Sequence, residues 1–215
     1  MQVERIEKKF IYNEDDEYFN FFLMNALFKK MYNTRIVNSI YFDTFSHKNV
    51  WDNINGFSNR KKIRVRWYNK IKNSDVFIEI KEKKNFVTKK KVQKLGKFST
   101  LDELNLYFKS DVFLNHEYLH MNKEYLNQIL QVQYEREYYT STNNKLRITI
   151  DRKIKISKDQ KTMLQLDDVI LEIKYNISDS DYVNQLILNY KLNNRNRKYS
   201  KYVNSFLILN ESGLL

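Results

Sequence analysis

Arg64 and Arg66 stand two residues apart in RKKIRVRWY, and Glu79, Lys81 and Lys83 follow at the same interval in FIEIKEKK. Lys89 and Lys91 repeat the interval in VTKKKVQK, as do Glu172 and Lys174 in ILEIKY and Glu7 and Lys9 in RIEKKF. Residues two apart on a β-strand point to one face of the sheet. Paired as antiparallel neighbours, these runs give a sheet face dense in cations with a few carboxylates among them. The other face carries Ile63, Val65, Trp67, Val76, Phe77, Ile78 and Ile80, in less regular order. Two like charges ~4 Å apart repel by about 4 kcal/mol at an effective dielectric near 20. Such a face is costly when empty and becomes favourable when a chain of phosphates lies on it. Arginine grips phosphate with two parallel hydrogen bonds and lysine as a point charge. Glu7, Glu79 and Glu172 then either hold a divalent metal, which prefers carboxylate and phosphate oxygens, or keep the cations in place.

The composition agrees with an anionic ligand. Lysine and arginine total 38 against 26 aspartates and glutamates, a formal net charge of +12 over 215 residues. That excess favours nucleic acid, a phosphate compound or an acidic membrane as partner, against the plainer reading of a surface tuned for solubility. A hydrophobic fraction of 42%, with 16 tyrosines and 14 phenylalanines, is enough for a real core and argues against a disordered chain. There is no cysteine, which excludes disulfides and thiolate metal sites. With 3 glycines and no proline, a glycine-rich nucleotide loop is absent. No apolar run reaches the ~18 residues of a membrane helix, and MQVERIEKKF lacks a signal-peptide core. The expectation is a soluble, cytoplasmic protein.

These residues need elements to position them. Residues 3–12 alternate as a first strand. Asn13 is placed as an N-cap before an acidic turn, and Phe19, Phe22, Leu23, Ala26, Leu27 and Met31 predict an amphipathic helix that ends near Lys29 and Lys30. Strands are expected over 35–43, 61–68, 75–83 and 86–94, with a loop or short helix over 47–56 and short helices over 100–127. A hairpin follows, its strands 132–139 and 145–151 flanking a polar turn. It sets Tyr134, Arg136 and Tyr138 on one face, and Arg147, Thr149 and Asp151 on one face. The last strand, 168–175, leads to a helix capped by Asp179, and Ser200 is placed to cap a final helix. FIEIKEK and ILEIKYN echo one another too briefly to claim a duplication. No linker interrupts the chain, so one domain over 1–215 is expected.

About eight antiparallel strands can close into a barrel with room for side chains or one small ligand. Charged faces turned inward make it a basic tunnel; an open sheet showing that face to water is the plain alternative. KKIRVR and VTKKKVQK also suit a basic module that binds RNA or polyphosphate without chemistry. Such modules set stacking aromatics beside exposed cations, whereas here the cations alternate with apolar residues. His116 and His120 have the i, i+4 spacing of metal ligands, but no third ligand converges on them.

In their order and spacing, RIEKKF, SIYFDT from Ser39, the NG at Asn55 with RKKIRVRWY, FIEIKEK, YERE from Tyr134, LRITIDRKI from Leu146, ILEIKY and SKY from Ser200 resemble one family. It is the VTC domain, the catalytic domain of vacuolar-transporter-chaperone polyphosphate polymerases, within the triphosphate tunnel metalloenzymes. The resemblance covers nearly the whole chain. It implies an α+β fold, an eight-stranded antiparallel tunnel with flanking helices, and metal-dependent synthesis of polyphosphate from ATP. It implies that Lys9, Arg64, Arg66, Lys81, Arg136, Arg147 and Lys174 are the catalytic basic residues that hold the phosphates. Lys198, Ser200 and Lys201 join them as phosphate contacts, with one of Lys89 to Lys91, taken as Lys89. Glu172 matches the carboxylate that holds Mn²⁺ or Mg²⁺.

The hydrolase branch of that superfamily opens with Glu-x-Glu-x-Lys. Arg5, Glu7 and Lys9 stand there in this chain, a VTC-like pattern that speaks against a triphosphatase or an adenylate cyclase. Sequence does not separate a polymerase from a tripolyphosphatase, because both need the same grip. The expected partners are ATP and polyphosphate, not DNA. VTC polymerases of eukaryotes carry a phosphate-sensing domain before the tunnel and membrane helices after it. Neither is read in these residues, so coupling to translocation implies a separate membrane partner.

Overall fold

The alternating runs pair as strands. This computed structural model describes residues 5–25, 28–72, 74–85, 87–117, 119, 126–160, 163–192 and 199–215. The strands are Arg5–Asn13 (β1), Phe28–Asp43 (β2), Asn59–Tyr68 (β3), Ser74–Lys84 (β4), Val87–Phe98 (β5), Asn127–Ser141 (β6), Arg147–Ser157 (β7), Leu164–Leu166 (β8) and Asp168–Asn176 (β9). The helices are Glu17–Asn25 (α1), Lys48–Ile54 (α2), Leu101–Tyr107 (α3), Asp111–Leu114 (α4), Ser180–Asn189 (α5) and Lys201–Glu211 (α6). None of the helices among the described residues is long and apolar enough to cross a membrane.

The hydrogen-bonded order is β1-β9-β7-β6-β2-β3-β4-β5, with β8 on β7. Among the described residues no pairing joins β1 to β5, the two ends of that order. In place of the closed eight-stranded barrel expected from the sequence, the described residues form a mostly antiparallel sheet of nine strands with flanking helices, and no pairing among them closes it. β5 has the character of an edge. Lys89, Lys90, Lys91, Lys94 and Lys97 lie exposed along it, and lysines on an edge discourage further pairing.

The chain divides into two compact units. The first comprises Met1–Arg35, Tyr134–Lys155 and Gln165–Tyr199. Its core takes every second residue of three strands: Phe10 and Tyr12 of β1, Ile148 and Ile150 of β7, and Leu171 and Ile173 of β9. These pack on Phe19 and Phe22 of α1 and on Val183 and Ile187 of α5. The intervening residues, Lys9, Thr149 and Glu172 among them, face the other way. α1 starts later than expected, because Asp16, not Asn13, accepts the Phe19 N–H at 3.1 Å, the bond of an N-cap. It also stops earlier: Ala26 and Leu27 lie outside the described residues, and Phe28 to Met31 open β2. Phe28 meets Phe22 edge-on at 5.1 Å and Tyr32 meets Tyr138 of β6 at 5.7 Å, so tertiary pairing overrides helical periodicity. Asp179 makes no side-chain cap on α5; its carboxylate meets Lys145 at 3.4 Å.

The second unit comprises Ile36–Gln133, Ile156–Leu164 and Ser200–Leu215. Its core joins Ile40 and Phe42 of β2, Ile63, Val65 and Trp67 of β3, and Val76, Ile78 and Ile80 of β4 to Leu104, Phe108 and Phe113 around α3 and α4. Phe42 meets the rings of Phe108 and Phe113 at 5.1 and 5.5 Å; emptying such a position costs about 3–5 kcal/mol. Ser200 caps α6 as its position predicts, its hydroxyl accepting the Val203 N–H at 3.4 Å. In each unit, helices cover the apolar face and the opposite face carries the charges.

Candidate functional site

In the second unit the register puts Arg64 opposite Tyr41 and Glu79, Arg66 opposite Ser39, and Lys81 opposite both Lys62 and Lys90. Glu79, 6% exposed, is the hub. Arg64 donates from Nε to its Oε2 at 2.7 Å and brings Nη2 to 2.5 Å. Lys90 donates to Oε1 at 2.8 Å, and Nη1 of Arg66 stands 3.7 Å away. Arg66 is held by Ser39 Oγ at 3.1 Å and Arg64 by the Tyr41 hydroxyl at 3.2 Å. Burial works to raise the Glu79 carboxyl, but Arg64, Arg66 and Lys90 outweigh it and lower it to about 2. α6 adds its first turn: Lys62 Nζ donates to Ser200 Oγ at 2.8 Å, and Lys201 opens the helix beside it.

Asp43 belongs to this cluster and escapes a sequence reading. It is wholly buried. Its Oδ1 accepts from the backbone N–H of Thr44 and Asn49 at 2.8 and 2.9 Å. Its Oδ2 accepts from the Val50 N–H at 3.0 Å and from the Tyr202 hydroxyl at 2.6 Å. The Tyr202 ring stacks on Tyr41 with centroids 4.6 Å apart. An aspartate at a strand end reads equally well as a turn residue, and no local pattern announces a partner 159 positions away.

In the first unit β9 lies between β1 and β7 and carries Glu172, 7% exposed. Lys9 and Thr149 flank it; one step along, Glu7 and Arg147 flank Lys174. Lys174 pairs with Glu172. Lys9 Nζ is 3.5 Å from Glu172 and 2.9 Å from Glu7, and donates to the Tyr199 carbonyl at 3.3 Å. Arg136 of β6 grips Asp151 with Nε at 2.6 Å and Nη2 at 2.7 Å. Burial disfavours the charge on Glu172, yet Lys9, Lys174 and Arg136 outweigh it and hold the carboxyl well below the usual range. Burial likewise disfavours the Lys9 ammonium, but Glu172 and Glu7 raise its pKa above the ordinary lysine value. Lys9 is therefore a fixed cation at neutral pH, not a base.

Of the residues singled out in the sequence, Lys9, Arg136, Arg147 and Lys174 share the first unit with Glu172, and Arg64, Arg66, Lys81, Ser200 and Lys201 share the second. Arg147 is exposed and keeps the row of Lys174. Lys89 is not on the Glu79 face. Lys84 pairs with Val87 across a turn that starts at Asn85, φ 53°. That register sets Lys81 against Lys90, and Lys89 against Glu82 on the opposite face. Lys90 therefore takes the place given to Lys89. Lys198 and His120 lie outside the described residues.

Among the described residues no three His, Cys, Asp or Glu side chains gather as a metal cage. Glu7 and Glu172, which both meet Lys9, are a smaller donor set. Mg²⁺ is commonly held by one or two carboxylates and completes its shell with water and substrate phosphates. In donor type and number the pair agrees with such a divalent site.

These are cationic sheet faces, each set around a buried carboxylate, on a mostly antiparallel α+β fold. The chain belongs to the VTC domain family, whose model matches residues 4–210. Its fold is similar to that of a candidate adenylate cyclase of Bacillus halodurans: the TM-score is 0.61 at 13% identity, over 95% of this chain and 97% of the other. A candidate adenylate cyclase of Vibrio parahaemolyticus gives 0.53 at 11%, over 94% and 97%. A protein of Pyrococcus horikoshii OT3 gives 0.51 at 15%, over 97% and 99%. At these identities the likeness is one of fold. No curated protein matches the chain in sequence.

Proposed function

We propose that the chain, as one VTC-type domain over 1–215, transfers phosphoryl groups from ATP to make long-chain polyphosphate, with ADP as co-product. The observation that carries this is the arrangement of arginines and lysines around buried Glu79 and Glu172 in a member of the VTC family. The tunnel that the resemblance implies belongs to this reading, not to the strand pairing described above. Cytoplasmic ATP is the donor this reading assumes.

Phosphoryl transfer asks a protein mainly for positioning and charge neutralisation. Arg64 and Arg66 supply planar forks for phosphoryl oxygens, while Lys62, Lys81, Lys201, Arg147 and Lys174 supply further charge. Ser200 offers a hydroxyl. Glu172, with Glu7 beside Lys9, would hold Mn²⁺ or Mg²⁺, which neutralises charge on the phosphoryl oxygens when bound. The attacking oxygen of a phosphate or growing chain end is already ionised near neutral pH, so no general base is asked of the chain.

A second reading is hydrolysis of tripolyphosphate, which needs the same grip; Arg5 in place of the hydrolase glutamate weighs against it. Incubating the purified chain with ATP and Mn²⁺ or Mg²⁺, then resolving products by gel and phosphorus NMR, separates the two. Polyphosphate with stoichiometric ADP is expected. Orthophosphate alone with either metal points to the hydrolase. Binding with no turnover points to a polyphosphate- or RNA-binding module.

A further inference from the structure

We infer that Asp43 and Tyr202 are positioning residues for the Arg64 cluster: their bond fixes the first turn of α6 and so keeps Ser200, Lys62 and Arg64 aligned for a phosphate chain. This rests on the triphosphate reading above and adds to it how the cations are held in line before the ligand arrives.

The contacts tie the first turn of α6 to β2 and β3. The Tyr202 hydroxyl donates to Asp43 at 2.6 Å. Two residues earlier, Ser200 accepts Lys62 Nζ at 2.8 Å. Lys62 shares a face of β3 with Arg64, which donates to the Tyr41 hydroxyl at 3.2 Å. Tyr41 shares a face of β2 with Asp43 and stacks on Tyr202 at an interplanar angle of 10°. Asp43, Tyr202 and Tyr41 are 0%, 1% and 4% exposed, so water does not compete for these bonds.

Packing alone does not call for this arrangement. A buried carboxylate is expensive to desolvate, and apolar side chains of the same volume stabilise a core at least as well. The start of α2 already has a second cap, since Thr44 Oγ1 accepts the Lys48 N–H at 3.0 Å. What a charged acceptor adds is direction. Stacked rings can slide over one another at little cost, whereas a short O–H···O⁻ bond fixes Tyr202 in its own plane. Burial and the Asp43 charge both push the Tyr202 hydroxyl far above its ordinary pKa, so it remains a donor at any working pH. Fixing Tyr202 fixes Ser200, two residues before it, which accepts Lys62.

The test is a double-mutant cycle on the full chain, with inorganic tripolyphosphate as calorimetric probe and thermal unfolding read alongside. Tyr202→Phe keeps the stack and removes the bond to Asp43; Ser200→Ala removes the acceptor of Lys62. Each should weaken tripolyphosphate binding about 10-fold, the loss of one charge-assisted contact. The double variant should bind no more than about twofold worse than either single variant, because both act through the same turn. Tyr202→Phe binding within about twofold of wild type, or a double variant near 100-fold weaker, overturns the proposal. Should Tyr202→Phe not fold, Asp43→Asn takes its place. It keeps the shape of the side chain and removes the charge that directs the Tyr202 hydroxyl, and binding within about twofold of wild type again overturns the proposal. Wild-type protein that does not bind tripolyphosphate sinks the triphosphate reading itself, a result distinct from either of these.

Discussion

Glu-Ile-Lys occurs in both β4 and β9, one segment in each unit, and the surroundings give the two glutamates different work. Glu79 is met by the Arg64 fork through two nitrogens, by Arg66 and by Lys90. Glu172 is met by two lysines, Lys9 and Lys174, while Arg136 is bound to Asp151. A guanidinium fork fixes a carboxylate in direction and distance; an ammonium is a mobile point charge on a flexible stem. Glu79 is therefore the locked counter-ion that holds arginines in position. On the proposed reading, Glu172 is the carboxylate that exchanges a lysine for a metal ion. Identical tripeptides acquire different chemistry from what stands across the strand.

The largest expected effect tests the locked kind of pair in the first unit. Arg136→Ala leaves Asp151, 1% exposed, without its bidentate partner. Urea unfolding should show a loss of about 3–5 kcal/mol; a loss under about 1 kcal/mol would mean that forks do not lock carboxylates here. Next in size, Arg64→Ala should weaken ATP binding by roughly 2–3 kcal/mol and Lys174→Ala by only about 1. Equal losses in calorimetry would erase the distinction between fork and point charge.

Acid sharpens the comparison further. Glu79 is lowered from 4.5 to about 2, so its stabilisation is fully present above pH 4.5 and is lost as pH falls toward 2. Across that window the wild type should lose on the order of 2–3 kcal/mol more than Glu79→Gln. Parallel curves for the two proteins would place the acid sensitivity elsewhere. The smallest effect separates neighbours on β5. Lys90 is half-exposed and solvent screens it, so Lys90→Ala should weaken tripolyphosphate binding about 2–3-fold, and Lys89→Ala not measurably. The reverse result would contradict the register.

The charged faces were legible because a period of two is local: Arg64 and Arg66, or Glu172 and Lys174, share a face in any pairing. The apolar reverse faces and the Ser200 cap are legible for the same reason. Lys89 against Lys90 is not, because the choice depends on how many residues the turn at Asn85 consumes, and one residue more or less exchanges the faces. The start of β2 is hidden by a helical spacing that aromatic contacts with Phe22 and Tyr138 override. Asp43 is hidden because its decisive partner, Tyr202, lies at the other end of the chain. Whether a run of strands closes is equally non-local; the lysines of β5 are its one visible sign.

The division of labour between the two glutamates is tested most directly by following ATP turnover in the presence of Mn²⁺ by phosphorus NMR, for wild type and Glu172→Gln at the same ATP occupancy. The substitution keeps the shape of the side chain and removes its charge, while the proposed phosphate-binding residues Arg64 and Arg66 remain. Turnover at least about 100-fold slower, with ATP still bound, is the predicted result. Turnover near the wild-type rate would show that Glu172 holds no catalytic metal and would contradict the division drawn between β4 and β9.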